Sequence, residues 1–308
     1  MKSKIRVPVF ILCLLSVTIF PSQLWAAMDV VTTTTDLAAI VRAVGGDRVK
    51  VSAIGKGNED PHFIEPKPSF MMMLGRAKLL FLIGLELEIW LKPLIEGSRN
   101  LAIQQGGPGY VDCSQSVEVK EIPKTRVDPS MGDVHPFGNP HYWLDPENGV
   151  KIAELVARKL AEVDPAGQAI FQKNLESFRS EISGKIPGWK TKFAAFKNKS
   201  IACFHSSWIY FTEAFGLEIL GYVEPRPGVP PTGRELASLV AVMKAKGVKV
   251  ILREQYHSDR FANMVADKAG GKVVIMPASV ESMREIKTYA DLIESVVSLA
   301  ADGLKAQQ

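Results

Sequence analysis

The sequence LLFLIG, from Leu79 to Gly84, is apolar up to its closing glycine and follows the charged residue Lys78. A short apolar run between turn signals is typical of a strand that is buried on both faces. Such strands occur mainly in parallel sheets, because crossover helices cover both sides of the sheet. This run therefore predicts an α/β fold built on a parallel sheet.

The chain on either side of this run alternates between strand and helix patterns. Strands are predicted at 28–34, 49–54 and 110–112, and helices at 37–44, 69–76 and 87–94. Asp36 and Ser69 are the expected N-terminal caps of the first two helices, since their side chains can accept hydrogen bonds from a first helical turn. Alternating strands and helices indicate one α/β half in this part of the chain.

A second half follows a long helical connection. Helical patterns begin at Asp145-Pro146 and again at Asp164-Pro165, and the second continues towards Phe196. We expect Pro187-Gly188 to kink or break it, because proline lacks the N–H that a helix interior needs. Strands are then predicted at 200–204, 248–252 and 272–276, with helices at 208–215, 235–246, 260–269 and 288–304. The sequence therefore predicts two α/β halves joined by a helical segment at 164–196.

The first residues have the pattern of a secretory signal peptide. Basic residues at positions 2, 4 and 6 precede an apolar run from 7 to 20, and Ala26-Ala27 offers a small-residue cleavage site. The run is shorter than the roughly 20 residues that a transmembrane helix needs, although an uncleaved anchor is the alternative. We therefore expect residues 1–27 to be a signal peptide and the protein to be periplasmic.

The charge balance argues against a nucleic-acid-binding protein. The chain has 37 Lys and Arg against 33 Asp and Glu, and three of the basic residues lie in the predicted signal peptide. The remaining chain is nearly neutral and lacks the basic surplus of nucleic-acid-binding domains.

Two cysteines remain beyond the signal segment, Cys113 and Cys203. In an oxidising compartment they could form a disulfide. Because they lie in different halves of the predicted fold, two buried free thiols are the favoured interpretation.

Three of the five histidines lie in separate segments beside turn signals. They are His62 in DPHFIEP, His141 in NPHYWLDP and His205 in CFHSSW. Neutral imidazole is the commonest protein ligand of a borderline metal such as zinc. Since ligand sites gather beyond the carboxyl ends of parallel strands, two facing sheets would bring these loops into one cleft. The three histidines therefore predict a metal site between the halves.

These motifs, in this order and spacing, resemble those of the periplasmic zinc- and manganese-binding proteins of metal-importing ABC transporters. DPHFIEPKPS (60–69), NPHYWLDP (139–146) and FHSSWIYF (204–211) are similar to the three ligand loops of that family. The stretch from Val223 to Thr232 resembles a loop of its C-terminal domain. The resemblance covers the whole chain beyond the signal peptide.

The resemblance implies two Rossmann-like lobes with mainly parallel sheets, bridged by one long helix, with the metal bound in the interlobe cleft. The divisions would be a signal peptide (1–27), an N-terminal lobe (28–163), a bridging helix (164–196) and a C-terminal lobe (197–308). The ligands would be His62, His141 and His205, and the protein, expected to be a monomer and not an enzyme, would deliver its metal to a membrane ABC permease. Histidine at the third position, where manganese members often have glutamate, favours Zn²⁺ over Mn²⁺.

The fourth ligand departs from the family pattern. The family supplies a carboxylate just after the last strand of the second lobe, where this chain has Met276. Glu254, at the end of the neighbouring predicted strand, is the first candidate to replace it. Glu281 and water are the alternatives.

Other polar residues near the motifs have less defined roles. His135 lies six residues before His141 and is either an auxiliary ligand on the access path or a solvated loop residue. His257 is expected to be exposed. Glu65 and Asp145 either accept hydrogen bonds from ligand imidazoles or serve in turns and caps.

A zinc-dependent hydrolase with a metal-bound water is the alternative function. Three histidines with an open fourth position suit such an enzyme. The sequence has neither an HExxH helix nor a GxSxG turn, however, so the carrier is the preferred hypothesis.

Overall fold

The computed structural model describes residues 27–128, 131–132 and 134–305, so the predicted signal peptide, apart from Ala27, lies outside the described residues. The first of two sheets contains β1 (Met28–Thr32), β2 (Val49–Ala53), β3 (Leu79–Leu82) and β4 (Tyr110–Asp112), in the order β2-β1-β3-β4. The second contains β5 (Ser200–Cys203), β6 (Glu218–Tyr222), β7 (Val250–Glu254) and β8 (Lys272–Met276), in the order β6-β5-β7-β8. All of these pairings are parallel, and β3 is buried along its whole length. The predicted fold of two parallel-sheet α/β lobes is confirmed.

Helices connect the strands and cover the sheets. They are α1 (Thr35–Gly45), α2 (Pro68–Arg76), α3 (Leu91–Ser98), α4 (Pro146–Val163), α5 (Gln168–Ala194), α6 (Ile209–Phe215), α7 (Gly233–Lys246), α8 (Asp259–Ala269) and α9 (Tyr289–Lys305). The long helix α5 contacts α1 and α4 on the side of the first sheet, and α6 and α9 on the side of the second. One hydrophobic core therefore extends through both lobes, with Phe171 and Phe193 of α5 inside it.

Of the kink or break expected at Pro187-Gly188, the break is wrong, since α5 continues through Pro187 to Ala194. A proline in a helix interior removes one backbone hydrogen bond. Here Ile182 before it and Trp189 after it are both buried, so hydrophobic contacts hold the helix on each side of the proline. Tertiary packing has outweighed the local preference.

The expected caps of the first two helices are also wrong. Thr34, not Asp36, caps α1, with its hydroxyl accepting a hydrogen bond from the first turn. Asp36 is buried and instead accepts a hydrogen bond from the backbone N–H of Val280, 2.9 Å away. Helix α2 starts at Pro68, before Ser69, because proline suits the first helical position.

Strand β6 was not predicted from the sequence. Its residues 218–222 are exposed or half-buried, and it lies at the edge of the second sheet beside β5. An edge strand with one partner lacks the continuous apolar run that identified β3, and Gly221 further weakens the pattern.

The loop after β8 joins the two lobes. Thr35 donates its hydroxyl to the carbonyl of Val280 at 2.6 Å, next to the Asp36 contact with the same residue. From the other side, Trp143 donates its indole N–H to the carbonyl of Ala278 at 3.0 Å. These buried hydrogen bonds fix the second lobe against α1 and the segment that precedes α4.

Cys113 and Cys203 are both buried and free, as favoured from the sequence. Burial raises the pKa of each thiol well above its ordinary value, which keeps both protonated and unreactive. Within the described ranges, no helix combines the length and apolar character that crossing a bilayer requires.

Candidate metal centre

The three predicted ligands come from loops of both lobes. His62 lies in the loop after β2, His141 precedes the 3₁₀ turn that leads into α4, and His205 follows β5. All three side chains are buried. One potential ligand nitrogen of each lies within 4.8 Å of those of the other two. The fold therefore brings together three histidines that are far apart in the chain.

His62 and His141 are held by the same local arrangement, an Asx-Pro-His turn. Asp60 Oδ1 accepts hydrogen bonds from the backbone N–H of His62 at 3.0 Å and from its Nδ1 at 2.7 Å. Asn139 Oδ1 accepts the equivalent pair from His141, at 3.0 Å and 2.9 Å. With the proton on Nδ1, each ring keeps the lone pair of Nε2 for a metal.

Sequence reasoning named different acceptors. Glu65 is exposed, and Asp145 caps α4 by accepting a hydrogen bond from a backbone N–H of its first turn at 2.9 Å. Asp60 and Asn139 were missed, although each stands two residues before a predicted ligand histidine with proline between them. That repeated spacing was the signal that could have found them.

The histidines carry buried ring nitrogens without hydrogen-bond partners among the described residues. These are Nε2 of His62, Nε2 of His141 and Nδ1 of His205. Burial, and then the neighbouring imidazole of His62, holds the pKa of His141 and of His205 well below the ordinary value. Neutral imidazoles bind metals, whereas buried nitrogens left unpaired cost stability. The donor set therefore fits a divalent cation such as zinc.

Buried aromatic side chains position the ligand loops. Trp90 donates its indole N–H to the carbonyl of Pro61 at 2.9 Å. Tyr210 donates its hydroxyl to the carbonyl of Asn139 at 2.8 Å, and Asn139 donates its amide to the carbonyl of Ser206 at 2.7 Å. The second and third ligand loops are thus tied together across the lobes.

Neither predicted carboxylate ligand joins the histidine group as the structure describes it. Glu254 is completely buried with its carboxylate 3.7 Å from Nε2 of His257, and burial raises its pKa to about 7. Its register partner in β8 is Met276, which is also buried. Glu281 forms a surface ion pair with Arg42 at 3.2 Å. Coordination by Glu254 stays a prediction that this geometry does not favour.

The other two histidines border the group. The ring of His135 stacks on that of His62 with centroids 5.2 Å apart, and His135 is buried, not solvated. The ring of His257 lies 5.4 Å from that of His205 and stacks on Phe204 at 4.7 Å. The expectation that His257 is exposed is wrong, because the Phe204 ring covers it.

Two parallel-sheet lobes that together surround buried imidazoles define the class as a two-lobed metal-binding protein. Comparison with known proteins gives the family. The chain belongs to the ZnuA family, the periplasmic component A of the zinc-uptake complex, whose model matches residues 30–302. Its predicted resemblance to the binding proteins of metal ABC importers is confirmed.

Relatives of known name cover nearly the whole chain. The manganese-binding lipoprotein MntA of Halalkalibacterium halodurans is 24% identical over 284 residues, which are 90% of this chain and 88% of that protein. The manganese ABC transporter substrate-binding lipoprotein PsaA of Streptococcus pneumoniae is 23% identical over 286 residues, or 90% of this chain and 89% of that protein.

Solved structures support the fold. A crystal structure of ZnuA matches with a TM-score of 0.74 and 24% identity, covering 92% of this chain and 100% of that one. A manganese-bound mutant of a periplasmic metal-binding protein from Candidatus Liberibacter asiaticus matches with a TM-score of 0.75 and 19% identity. The match covers 89% of this chain and 98% of that one. At these identities the likeness concerns the architecture.

Proposed function

We propose that this protein captures Zn²⁺ with His62, His141 and His205 and delivers it to a membrane ABC permease. One observation carries the proposal: loops of both lobes bring three buried histidines together, with their potential ligand nitrogens within 4.8 Å of one another. Metal capture for a transporter is the function of the family to which the chain belongs.

Zinc is favoured over manganese by the donor set. Imidazole nitrogens suit zinc, whereas manganese favours carboxylate, carbonyl and water oxygens. The histidine group includes no carboxylate among the described residues. MntA and PsaA are named for manganese and the family model for zinc uptake, so the relatives support a divalent metal of either kind.

The hydrolase alternative has no support from the comparisons. The matched relatives are binding proteins of metal transporters, a class that captures and releases its ion unchanged. We therefore treat the bound metal as cargo. The family also supports a location outside the cytoplasm, and we propose the periplasm, reached through the signal peptide at 1–27, for a monomeric protein.

A cavity of about 180 Å³ lies beside the proposed site, and we propose it as the access path of the ion. Glu121, Glu224, His135 and Asn139 lie in its wall. Carboxylates beside an opening attract cations, and Asn139 also orients His141. Since the three ligands come from both lobes, a small displacement of one lobe would separate His205 from His62 and His141 and release the ion.

Calorimetric titration of the metal-free protein with zinc tests this proposal. We expect about one equivalent to bind, and His205→Ala to weaken binding by at least about 100-fold, because a direct ligand contributes more than its orienting partners. His257→Ala is the matched control and should bind almost as the unsubstituted protein does. Unchanged affinity in His205→Ala would refute the proposal, and His205-dependent hydrolysis of ester or phosphoester substrates would favour the enzyme.

A further inference from the structure

All five histidines of the chain lie in one cluster. Three of them form the proposed site, and the other two border it on different sides. The ring of His135 is near two members of the site, with centroids 5.2 Å from His62 and 6.5 Å from His141. A fourth imidazole beside a three-imidazole site is a potential ligand. To coordinate the same ion, it needs a ring nitrogen with a free lone pair and a ring close to the other three.

His135 has the free nitrogen. Its Nε2 is buried and has no hydrogen-bond partner within the part of the chain that the structure describes. The backbone of Leu85 and Glu86 lies beside the ring and interacts with it as a hydrogen-bond acceptor. A proton on the nitrogen that faces this backbone would leave the other nitrogen for a metal, as in His62 and His141.

The backbone that supports His135 is strained. Gly84, Leu85 and Glu86 have φ angles of 82°, 56° and 64°, and Leu85 and Glu86 adopt the left-handed region without being glycine. Consecutive residues of this kind persist only where surrounding contacts hold them, and they cluster at binding sites. Here the strained segment lies beside the His135 ring.

The ring separations fit a tetrahedral site with a small adjustment. Four imidazoles bound to zinc at about 2.0–2.1 Å place neighbouring ring centroids about 5 Å apart. The pairs within the proposed site measure 5.2 Å, 5.5 Å and 5.6 Å, and the His62–His135 pair measures 5.2 Å. The 6.5 Å separation of His135 from His141 is longer than such a shell requires, and the described ring contacts of His135 do not include one with His205. Coordination by His135 therefore requires its ring to move towards the other three on metal binding.

The other candidates fit less well. Met276 is buried and carries no carboxylate, and Glu281 lies at the surface beside Arg42. Glu254 and His257 face each other at 3.7 Å, and His257 lies near His205 alone among the three site histidines. His135 is the one of these residues whose ring lies beside two proposed ligands.

We propose that His135 is the fourth ligand of the bound metal, in place of the carboxylate that Met276 replaces. This inference rests on the proposed function, because it concerns the same ion. A shell of four neutral imidazoles carries no negative charge and favours Zn²⁺ over Mn²⁺. The chain would therefore select zinc by substituting an imidazole for an oxygen ligand.

X-ray absorption spectroscopy of the zinc-loaded protein tests the inference without a substitution. We expect scattering from four imidazoles and no carboxylate in the first shell. Three imidazoles with one or more oxygen ligands would overturn it. The measurement does not depend on whether any variant folds.

Titrations of matched variants provide the second test. His135→Ala should bind zinc about tenfold or more weakly, while His257→Ala, which also removes a largely buried imidazole beside the site, should not. His135→Asp should shift the ratio of zinc to manganese affinity towards manganese. Loss of zinc binding in His141→Ala with no change in His135→Ala would refute this inference and leave the proposed function intact. Unchanged binding in His141→Ala would refute both.

Discussion

The two lobes hold their proposed ligands in different ways. In the first lobe, Asp60 and Asn139 fix the rings of His62 and His141 from two residues away in sequence. In the second lobe, His205 follows β5 in extended backbone, with φ −118° and ψ 168°, and its buried Nδ1 has no partner among the residues described. The first half of the site is therefore set by local sequence, and the second half by tertiary contacts.

This difference suggests how one site can bind and release the same ion. His62 and His141 keep their orienting oxygens when the second lobe moves, because those oxygens belong to the same turns. The position of His205 depends on contacts such as the 2.7 Å hydrogen bond from Asn139 to the carbonyl of Ser206. Movement of the second lobe would then withdraw His205 from the ion, while His62 and His141 stay in place.

The largest expected effect comes from removing the preorganised pair. His62→Ala/His141→Ala should abolish measurable zinc binding, whereas His205→Ala should keep weak residual binding by the first-lobe pair. Competition with a chromogenic chelator measures both. Equal residual affinity in the two proteins would show that the lobes do not differ in the way described.

The orienting residues should have the next largest effect. Asn139→Ala should weaken zinc binding about 10- to 100-fold, since such partners fix the tautomer and the orientation of a ligand imidazole. Asp60→Ala should cost less, because Asp60 makes no equivalent of the hydrogen bond from Asn139 to Ser206. Glu65→Ala, an exposed change in the same loop as Asp60, is the control and should bind normally. A greater loss in Asp60→Ala than in Asn139→Ala would contradict the role given to the interlobe hydrogen bond.

Glu254 should affect stability more than metal binding. Burial raises its pKa to about 7 from an ordinary value of 4.5, so the folded protein holds a proton that the unfolded chain releases between these two pH values. The contribution of Glu254 to stability is therefore present below pH 4.5 and is lost as pH rises to about 7. Glu254→Gln should remove this loss. Its free energy of unfolding, relative to that of the unsubstituted protein, should therefore rise by on the order of 2 kcal/mol between pH 5 and pH 8.

Denaturant unfolding of the metal-free protein at both pH values measures that gain, with Glu65→Gln as the exposed control. Zinc affinity in Glu254→Gln should change less than in Asn139→Ala. A loss of affinity as large as that of His205→Ala would instead restore Glu254 as a ligand.

The smallest expected effect concerns the contact between the lobes at α1. Thr35→Val removes the buried hydrogen bond to the carbonyl of Val280 while keeping the shape of the side chain. It should lower the free energy of unfolding by about 1 kcal/mol and change zinc affinity only slightly. Thermal unfolding and titration of the same samples measure both quantities. Loss of most of the zinc affinity would show that this contact, and not the Asn139 hydrogen bond, positions His205.

The sequence predicted what depends on apolar runs and on turn motifs. LLFLIG identified a buried parallel strand, and the three histidine motifs identified the residues that the fold brings together. Strand β6 was not predicted, because this edge strand has no continuous apolar run. Asp36 was assigned a local cap because its partner, Val280, lies 244 residues further along the chain.

The fourth ligand of the site could not be derived from the sequence either, because it depends on contacts between distant segments. The location of Glu254 at a strand end suggested a ligand, but its carboxylate faces His257. His135 is six residues from His141 in sequence, yet its ring lies beside the distant backbone of Leu85 and Glu86. Contacts between distant segments decide both cases, and only the three-dimensional structure contains them.

In the proposed site, one zinc ion binds to histidines from both lobes. Anomalous diffraction at the zinc edge from crystals of the zinc-loaded protein tests it most directly. We predict a single peak within about 2.1 Å of a ring nitrogen of each of His62, His141 and His205. A peak elsewhere, or one coordinated without His205, would contradict the account.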